Sequence, residues 1–269
     1  MIRAAGGWKP NSATAGSAGA VRAATRRTGH LRILTSDGDR ITGVVHVRDT
    51  LAAADDKPPL WRAFAQELGI LGASFPETQG GMGGGLDDNL VVMQTLGRHL
   101  AAEPYLSTVV VAGGLLKRLP GSVAQRLLGR VIDGDAVIGF AATEPHGRHD
   151  LHDVRSTLTP RGEGLVLDGR KAAVHCAPWA TDFLVTARSA GQPQDARGIS
   201  LVWLPANTPG IRRRDYRTLD GGRASELAFD EVAVQTEQVL GGIGAALPLL
   251  ERVIDEATLS VCAEAGGVL

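Results

Sequence analysis

The densest run of reactive residue types is Thr143-Glu144-Pro145-His146, continuing through Gly147-Arg148-His149-Asp150 to His152 and Asp153. Three histidines at three-residue spacing, with aspartates beside them, have the composition of a zinc site. The spacing is not the i, i+4 pair of a helical site, and Pro145 and Gly147 favour a loop. The run therefore reads as a polar, ligand-facing loop, with no metal expected. A second candidate, Gly242-Ile243-Gly244-Ala245-Ala246, follows a strand and opens a helix. It faintly resembles a dinucleotide fingerprint, but no second strand follows to complete a βαβ unit. The Gly80–Gly85 cluster precedes no Lys-Ser or Lys-Thr pair and reads as a turn. Arg212, Arg213 and Arg214 are able to meet phosphates, though a solvated strand edge is the simpler reading.

The elements that must position these residues belong to an ordinary globular chain. Its 269 residues are 43% hydrophobic and 21% charged, enough for one large domain or two ordinary ones. A net charge of -1 gives no basic field, so neither nucleic acid nor an anionic membrane surface is an expected partner. The two cysteines, Cys176 and Cys262, form no CxxC, which excludes a disulfide framework and points to a reducing, cytoplasmic setting. No apolar run approaches the roughly 18–20 residues needed to cross a bilayer.

Residues 1–39 are rich in Ala, Gly, Arg and Ser, with the first acidic residue at Asp37. A transit peptide and a disordered leader both fit; the lack of an amphipathic helix before Gly29 favours the leader. Residues 40–134 carry helical signals. Pro58 and Pro59 suit a first turn, Trp61, Phe64, Ala65 and Leu68 form one buried stripe, and Gly69 ends it. A second helix is expected near Asp87 or Asp88, with Leu90, Val91, Leu96 and Leu100 inward and a break at Pro104. A third is expected over Tyr105–Leu119, and a fourth capped by Ser122 and closed by Gly134. Over 135–240 the period changes to that of strands. Residues 136–142 form one, and Leu165-Val166-Leu167 and Lys171–His175 read as a hairpin about an Asp168-Gly169 turn. Further strands are expected at Phe183–Ala187, Ser200–Leu204, Ile211–Arg217 and Glu226–Val234, closing a small β-barrel or sandwich. Residues 241–269 return to a helical pattern, with Leu250, Val253, Ile254, Ala257 and Val261 inward. The fold class is α+β, and little chain remains to cover that last helix.

The strand Ile138-Gly139-Phe140-Ala141-Ala142 running into Thr143-Glu144-Pro145 resembles the signature of the acyl-CoA dehydrogenase family. Other pieces match that family in order: Phe75-Pro76-Glu77 with Gly80-Gly81, Gly97-Arg98 with Glu103-Pro104-Tyr105-Leu106, Leu167-Asp168-Gly169-Arg170-Lys171, Ala228-Phe229-Asp230-Glu231-Val232, and Ala257–Ala265. The resemblance covers about residues 50–269. It implies an N-terminal all-α domain, a middle β-domain and the first helix of a C-terminal helical bundle that the chain does not contain.

The implied activity is FAD-dependent α,β-dehydrogenation of an acyl-CoA thioester, with electrons passed to an electron-transfer flavoprotein or similar acceptor. The resemblance places Phe140, Ala142 and Thr143 along the flavin, His149 at its pyrophosphate and the CoA end, and Ala173 and His175 beside the ring. It places Leu100 and Tyr105 at the acyl group. Three positions depart from the family pattern: His149 replaces a serine, Ala173 a stacking aromatic, and His175 a threonine or serine. No catalytic residue is assigned, because the family's base lies in the C-terminal domain or on neighbouring helices; Glu251, Asp255, Glu256 and Glu264 are not given that role. A homo- or hetero-oligomer through the C-terminal domain is implied, and no turnover is expected from this chain alone. The alternative is a non-catalytic structural subunit or remnant of a heteromeric dehydrogenase.

Overall fold

The computed structural model describes residues 60–147, 150–219 and 221–269, with Pro58 and three N-terminal strands. Those strands, β1 (Arg22–Ala23), β2 (Arg32–Asp37) and β3 (Arg40–His46), form an antiparallel sheet in sequence order. β1 and β2 fall in the stretch read as a leader, and β3 where helical signals were expected. Ile33 and Leu34 of β2 pair with Val45 and Val44 of β3, and the β-branched types among them, Ile33, Val44 and Val45, suit a pleated ladder.

The helical part begins with α1 (Trp61–Gln66), which buries Trp61 and Phe64 and gives way at Gly69, where φ is 66°. α2 (Leu86–Arg98) starts at Gly85, whose N–H donates to Asp88 Oδ2 at 2.8 Å. Its buried face is Asn89, Val92, Met93, Thr95, Leu96 and Gly97. The expected inward face is thus right at Leu96 but wrong at Val91 and Leu100, which are 41% and 73% exposed. Residues Leu106–Gly113 wind as a π-helix that continues into α3 (Gly114–Leu116), where a single α-helix was expected. This wide turn carries Thr108, whose buried hydroxyl bonds both the N–H and the C=O of Ile138. α4 (Ser122–Ile132) is capped by Gly121 rather than Ser122, which occupies the first helical position. It buries Leu127, Leu128 and Val131 and closes at Gly134, φ 76°.

Eight strands follow: β4 (Ile138–Ala141), β5 (Thr157–Arg161), β6 (Gly164–His175), β7 (Asp182–Arg188), β8 (Ile199–Pro205), β9 (Ile211–Arg217), β10 (Arg223–Val234) and β11 (Val239–Leu240). Their order is β11-β8-β7-β5-β6-β10-β9, with β4 parallel to β7. β5 meets β7 at the single pair Thr157–Arg188, so the sheet divides there into two halves. One apolar cluster takes Leu158, Leu167, Leu227 and Phe229 from one half and Phe183, Val185, Val202 and Leu204 from the other. The halves therefore close on a shared core, as a barrel or sandwich must.

The Asp168-Gly169 pair is not a hairpin turn; it lies inside the continuous strand β6, and the chain reverses at Gly162 between β5 and β6. A side chain at Gly169 would collide with Ser156, and Asp168 Oδ1 accepts the Glu231 N–H at a bulge in β10. The glycine serves close packing rather than chain reversal.

α5 (Leu247–Val268) buries Leu250, Val253 and Ala257 against α2 and the 106–116 helix, so its apolar face finds cover within the chain. Val261, expected inward, is 44% exposed. Helical and β parts share an apolar cluster in which Ile138, Leu184, Ile199 and Leu201 meet the helices. Among the described residues, no helix is long and apolar enough to cross a membrane.

Candidate functional site

Strand alternation splits β4 between two environments. Gly139 and Ala141 face the barrel, where a side chain on Gly139 would press on Phe183. Ile138 and half-buried Phe140 face the helical cluster. The strand then runs out at Ala142, and the Thr143-Glu144-Pro145 turn begins. Thr143 is exposed and Glu144 is 4% exposed, so the turn presents one residue and swallows the next.

What holds Glu144 is Lys171, a lysine with no side-chain exposure. Its Nζ donates to Glu144 Oε1 at 2.7 Å, to Thr186 Oγ1 at 3.0 Å and to the Ala142 carbonyl at 3.3 Å. Those are the three bonds an ammonium can donate. Glu144 also accepts backbone N–H groups, from Ser156 to Oε1 at 2.9 Å and from Arg155 to Oε2 at 3.0 Å. Burial pushes the Glu144 carboxyl up, but the Lys171 charge and these hydrogen bonds together hold it below the usual carboxylate range. His146 Nε2 lies 3.6 Å from the second Glu144 oxygen and 3.7 Å from Asp153.

β6 carries the other side of the site on a β-bulge. Ser225 of β10 pairs with Val174, yet Leu227 pairs with Lys171, so Ala172 and Ala173 together oppose one residue. Ala173 takes φ 49° and Cys176 φ 55°, both left-handed and uncommon for residues with a Cβ. The bulge turns the Ala172 N–H away from β10 to the Thr143 carbonyl, at 2.8 Å. Contacts from Lys171 to Ala142 and from Cys176 Sγ to Ile138 O, at 3.7 Å, run β4 alongside the end of β6. Four of the residues expected to face a cofactor, Ala142, Thr143, Ala173 and His175, therefore share one edge, with Phe140 behind it.

Two other expectations do not converge there. Leu100 points to solvent with φ 50°. Tyr105 is fully buried; its hydroxyl is engaged with Asn89 Oδ1 at 3.1 Å and Ile70 O at 3.3 Å, so it serves the helical core and offers no surface to a substrate. His149 lies outside the described residues. The loop that follows it is pinned by Arg188, which donates to the carbonyls of His152, Pro193, Asp195 and Arg197 at 2.6–2.9 Å. His152 sits between Asp150, 3.0 Å away, and Glu251 of α5, 3.6 Å away. No cluster of metal-ligating side chains occurs among the described residues.

A cavity of about 200 Å³ opens where the segment 102–107 meets the ends of β6 and β10. Glu103, Ser107, His175, Trp179, Arg223 and Glu264 line it. Burial pushes the Glu103 carboxyl up to about 7, against the pull of a hydrogen bond from the Leu60 N–H at 2.9 Å. Sequence reasoning missed both Lys171 as a buried cation and Glu103 as a cavity carboxyl. Lys171 stands in a strand that also carries Asp168 and Arg170, so its residue type alone did not single it out.

The acyl-CoA dehydrogenase N-terminal domain model matches residues 43–135, and the middle domain model matches 139–232. The chain belongs to the acyl-CoA dehydrogenase family. Acyl-CoA dehydrogenase FadE27 of Mycobacterium tuberculosis is 29% identical over 189 residues, covering 70% of this chain and 48% of its own length. The caffeyl-CoA reductase-Etf complex subunit CarC of Acetobacterium woodii is 27% identical over 209 residues, 75% of this chain and 55% of its own. Among solved structures, the ChsE4-ChsE5 complex from Mycobacterium tuberculosis superposes with a TM-score of 0.65 at 29% identity, covering 76% of this chain and 52% of the matched one. The chain spans about half the length of the curated relatives it matches.

Proposed function

We propose that this chain forms the flavin-facing part of an FAD-dependent acyl-CoA dehydrogenase, which removes two hydrogens from the α and β carbons of an acyl-CoA thioester. The observation that carries the reading is the exposed Thr143, held between β4 and the bulged end of β6. Bound FAD supplies the two-electron redox chemistry; the chain supplies orientation and electrostatics. In this reading Thr143 offers its hydroxyl to the polar edge of the ring, and Ala142 and Phe140 lie along it. Exposed His175 offers a ring nitrogen on the other side, and Ala173 offers a methyl group where an aromatic would stack. The residues fit the group, with less stacking area than an aromatic would give. His149 keeps its sequence-based assignment to the pyrophosphate and CoA end. No described carboxylate is assigned as the base. A flavoprotein electron acceptor and a second dehydrogenase subunit are the proposed partners, in keeping with the Etf complex and the two-protein complex among the relatives.

A second reading is a structural subunit of a heteromeric dehydrogenase. The small, exposed Ala173 favours it, since loss of the stacking ring weakens flavin binding. One preparation separates the two. A yellow purified chain that binds FAD stoichiometrically supports the first, with Ala173→Trp tightening binding. A colourless chain whose fluorescence titration with FAD shows no saturation supports the second. Dye reduction with a panel of acyl-CoA thioesters then reads turnover directly.

A further inference from the structure

We infer that the buried Lys171–Glu144 ion pair is a positioning device: it sets the course of the Thr143–His146 turn, and so where Thr143 is presented, more than it stabilises the fold. The flavin part rests on the function proposed above; the part concerning the turn does not. The ammonium clasps the chain on both sides of Thr143, through the Ala142 carbonyl and the Glu144 carboxylate. Thr143 itself is left exposed between two held neighbours. Its carbonyl is tied separately, by the Ala172 N–H that the β6 bulge redirects. Glu144 extends the same network to the Arg155 and Ser156 amides and Lys171 extends it to Thr186, so four separate stretches of chain meet at one ion pair.

Stability alone is a poor account of this arrangement. Burying two charges is costly, and replacing such a pair by uncharged groups of similar volume is often neutral or stabilising, whereas removing one partner is strongly destabilising. What the pair adds is direction. Two of its three donors reach the turn, at the Ala142 carbonyl and the Glu144 carboxylate, and so choose one conformation of a run whose residues Thr143 and Pro145 are exposed.

The test compares the full-length wild type with Lys171→Met and with the double variant Lys171→Met/Glu144→Gln. The expectation is that the single variant melts well below wild type, because it leaves an unpaired buried carboxylate. The double variant should melt close to wild type. Hydrogen exchange in the double variant should be faster at 143–147 and 172–176 and unchanged in β7 and β8. FAD titration should show affinity weakened about tenfold, the scale of one misplaced hydrogen bond. A double variant that fails to fold, or one whose turn exchanges like wild type, overturns the inference. A loosened turn with unchanged FAD affinity overturns its ligand-presenting part. Wild type that binds no FAD, alongside a loosened turn in the double variant, leaves the positioning role standing and removes the flavin reading instead.

Discussion

Glu103 occupies a place that favours its neutral form. One oxygen accepts the Leu60 N–H, while the other is buried with no partner among the described residues. Its ordinary value is 4.5, and in the fold it stands at about 7. Between those two values the folded protein holds a proton that the unfolded chain has released. The protonated carboxyl therefore contributes stability that is fully present below 4.5 and is lost as pH rises through 7. A shift of this size corresponds to about 3 kcal/mol. Glu103→Gln, which imitates the neutral acid, should exceed wild type by up to that amount at pH 8 and differ little at pH 4. Urea melts at both pH values check this, and parallel pH profiles for the two proteins would refute it. Glu144 has the opposite sign: its stabilisation is present above the ordinary carboxylate range and fades as pH falls through its lowered value. Neither behaviour is legible in the sequence. Thr143-Glu144-Pro145 stands out as a run of residue types, but the partner that buries its glutamate lies 27 residues away.

At the scale of elements, glycine decides the packing of α2 on α5. A Cβ on Gly97 would stand 2.0 Å from the Glu264 carbonyl oxygen, and one on Gly267 would stand 2.0 Å from the Gln94 carbonyl oxygen. The two helices touch backbone to backbone, each through the other's glycine. Gly97→Ala should force them apart and cost about 1–3 kcal/mol, although alanine is the better helix former by close to 1 kcal/mol. Chemical denaturation measures this; a stabilised Gly97→Ala protein would mean that propensity outweighs the contact. The same feature explains which elements were legible. Periodicity of large apolar side chains finds α1, α4, α5 and the strands β7, β8 and β10, because those elements bury such side chains. It misorients α2, whose inward face includes Gly97 and Asn89, the latter bonded to Tyr105, beside Val92, Met93 and Leu96. It also misreads Asp168-Gly169 as a turn, because a glycine required for the nearby Ser156 looks the same in sequence as one required for a chain reversal.

The whole molecule depends on how the helical part docks on the β part. Most of that contact is apolar; besides the Thr108–Ile138 hydrogen bonds, a second polar cluster centres on Asp182. Asp182 of β7, 2% exposed, accepts the Trp203 indole N–H at 2.9 Å and the Thr181 hydroxyl at 2.6 Å, both from its own domain. Its third partner comes from the helices: Arg130 of α4 reaches Oδ2 at 3.0 Å. Arg126, one turn earlier on α4, lies over the Trp203 ring at 5.6 Å. The two kinds of partner are unequal. Arg130 is 37% exposed, so water screens its charge, and removing it should cost no more than about 1 kcal/mol. Asp182→Ala strands the Trp203 indole N–H at a domain boundary, at about 1–3 kcal/mol for a group left unsatisfied, whereas the exposed Thr181 hydroxyl keeps the Val137 carbonyl as an acceptor at 3.2 Å. Asp182→Asn, which still accepts hydrogen bonds, should recover most of that loss. The ordering Asp182→Ala, then Asp182→Asn, then Arg130→Ala, from most to least destabilising, is read from urea melts. A double-mutant cycle between Arg130 and Asp182 isolates the ion pair. An Arg130→Ala protein as unstable as Asp182→Ala would place the docking energy in the charge pair instead. The cavity between segment 102–107 and the strand ends lies on the same domain boundary, so Asp182→Ala should also raise hydrogen exchange at 102–107 and 175–179, whereas Arg130→Ala should leave both segments as they are.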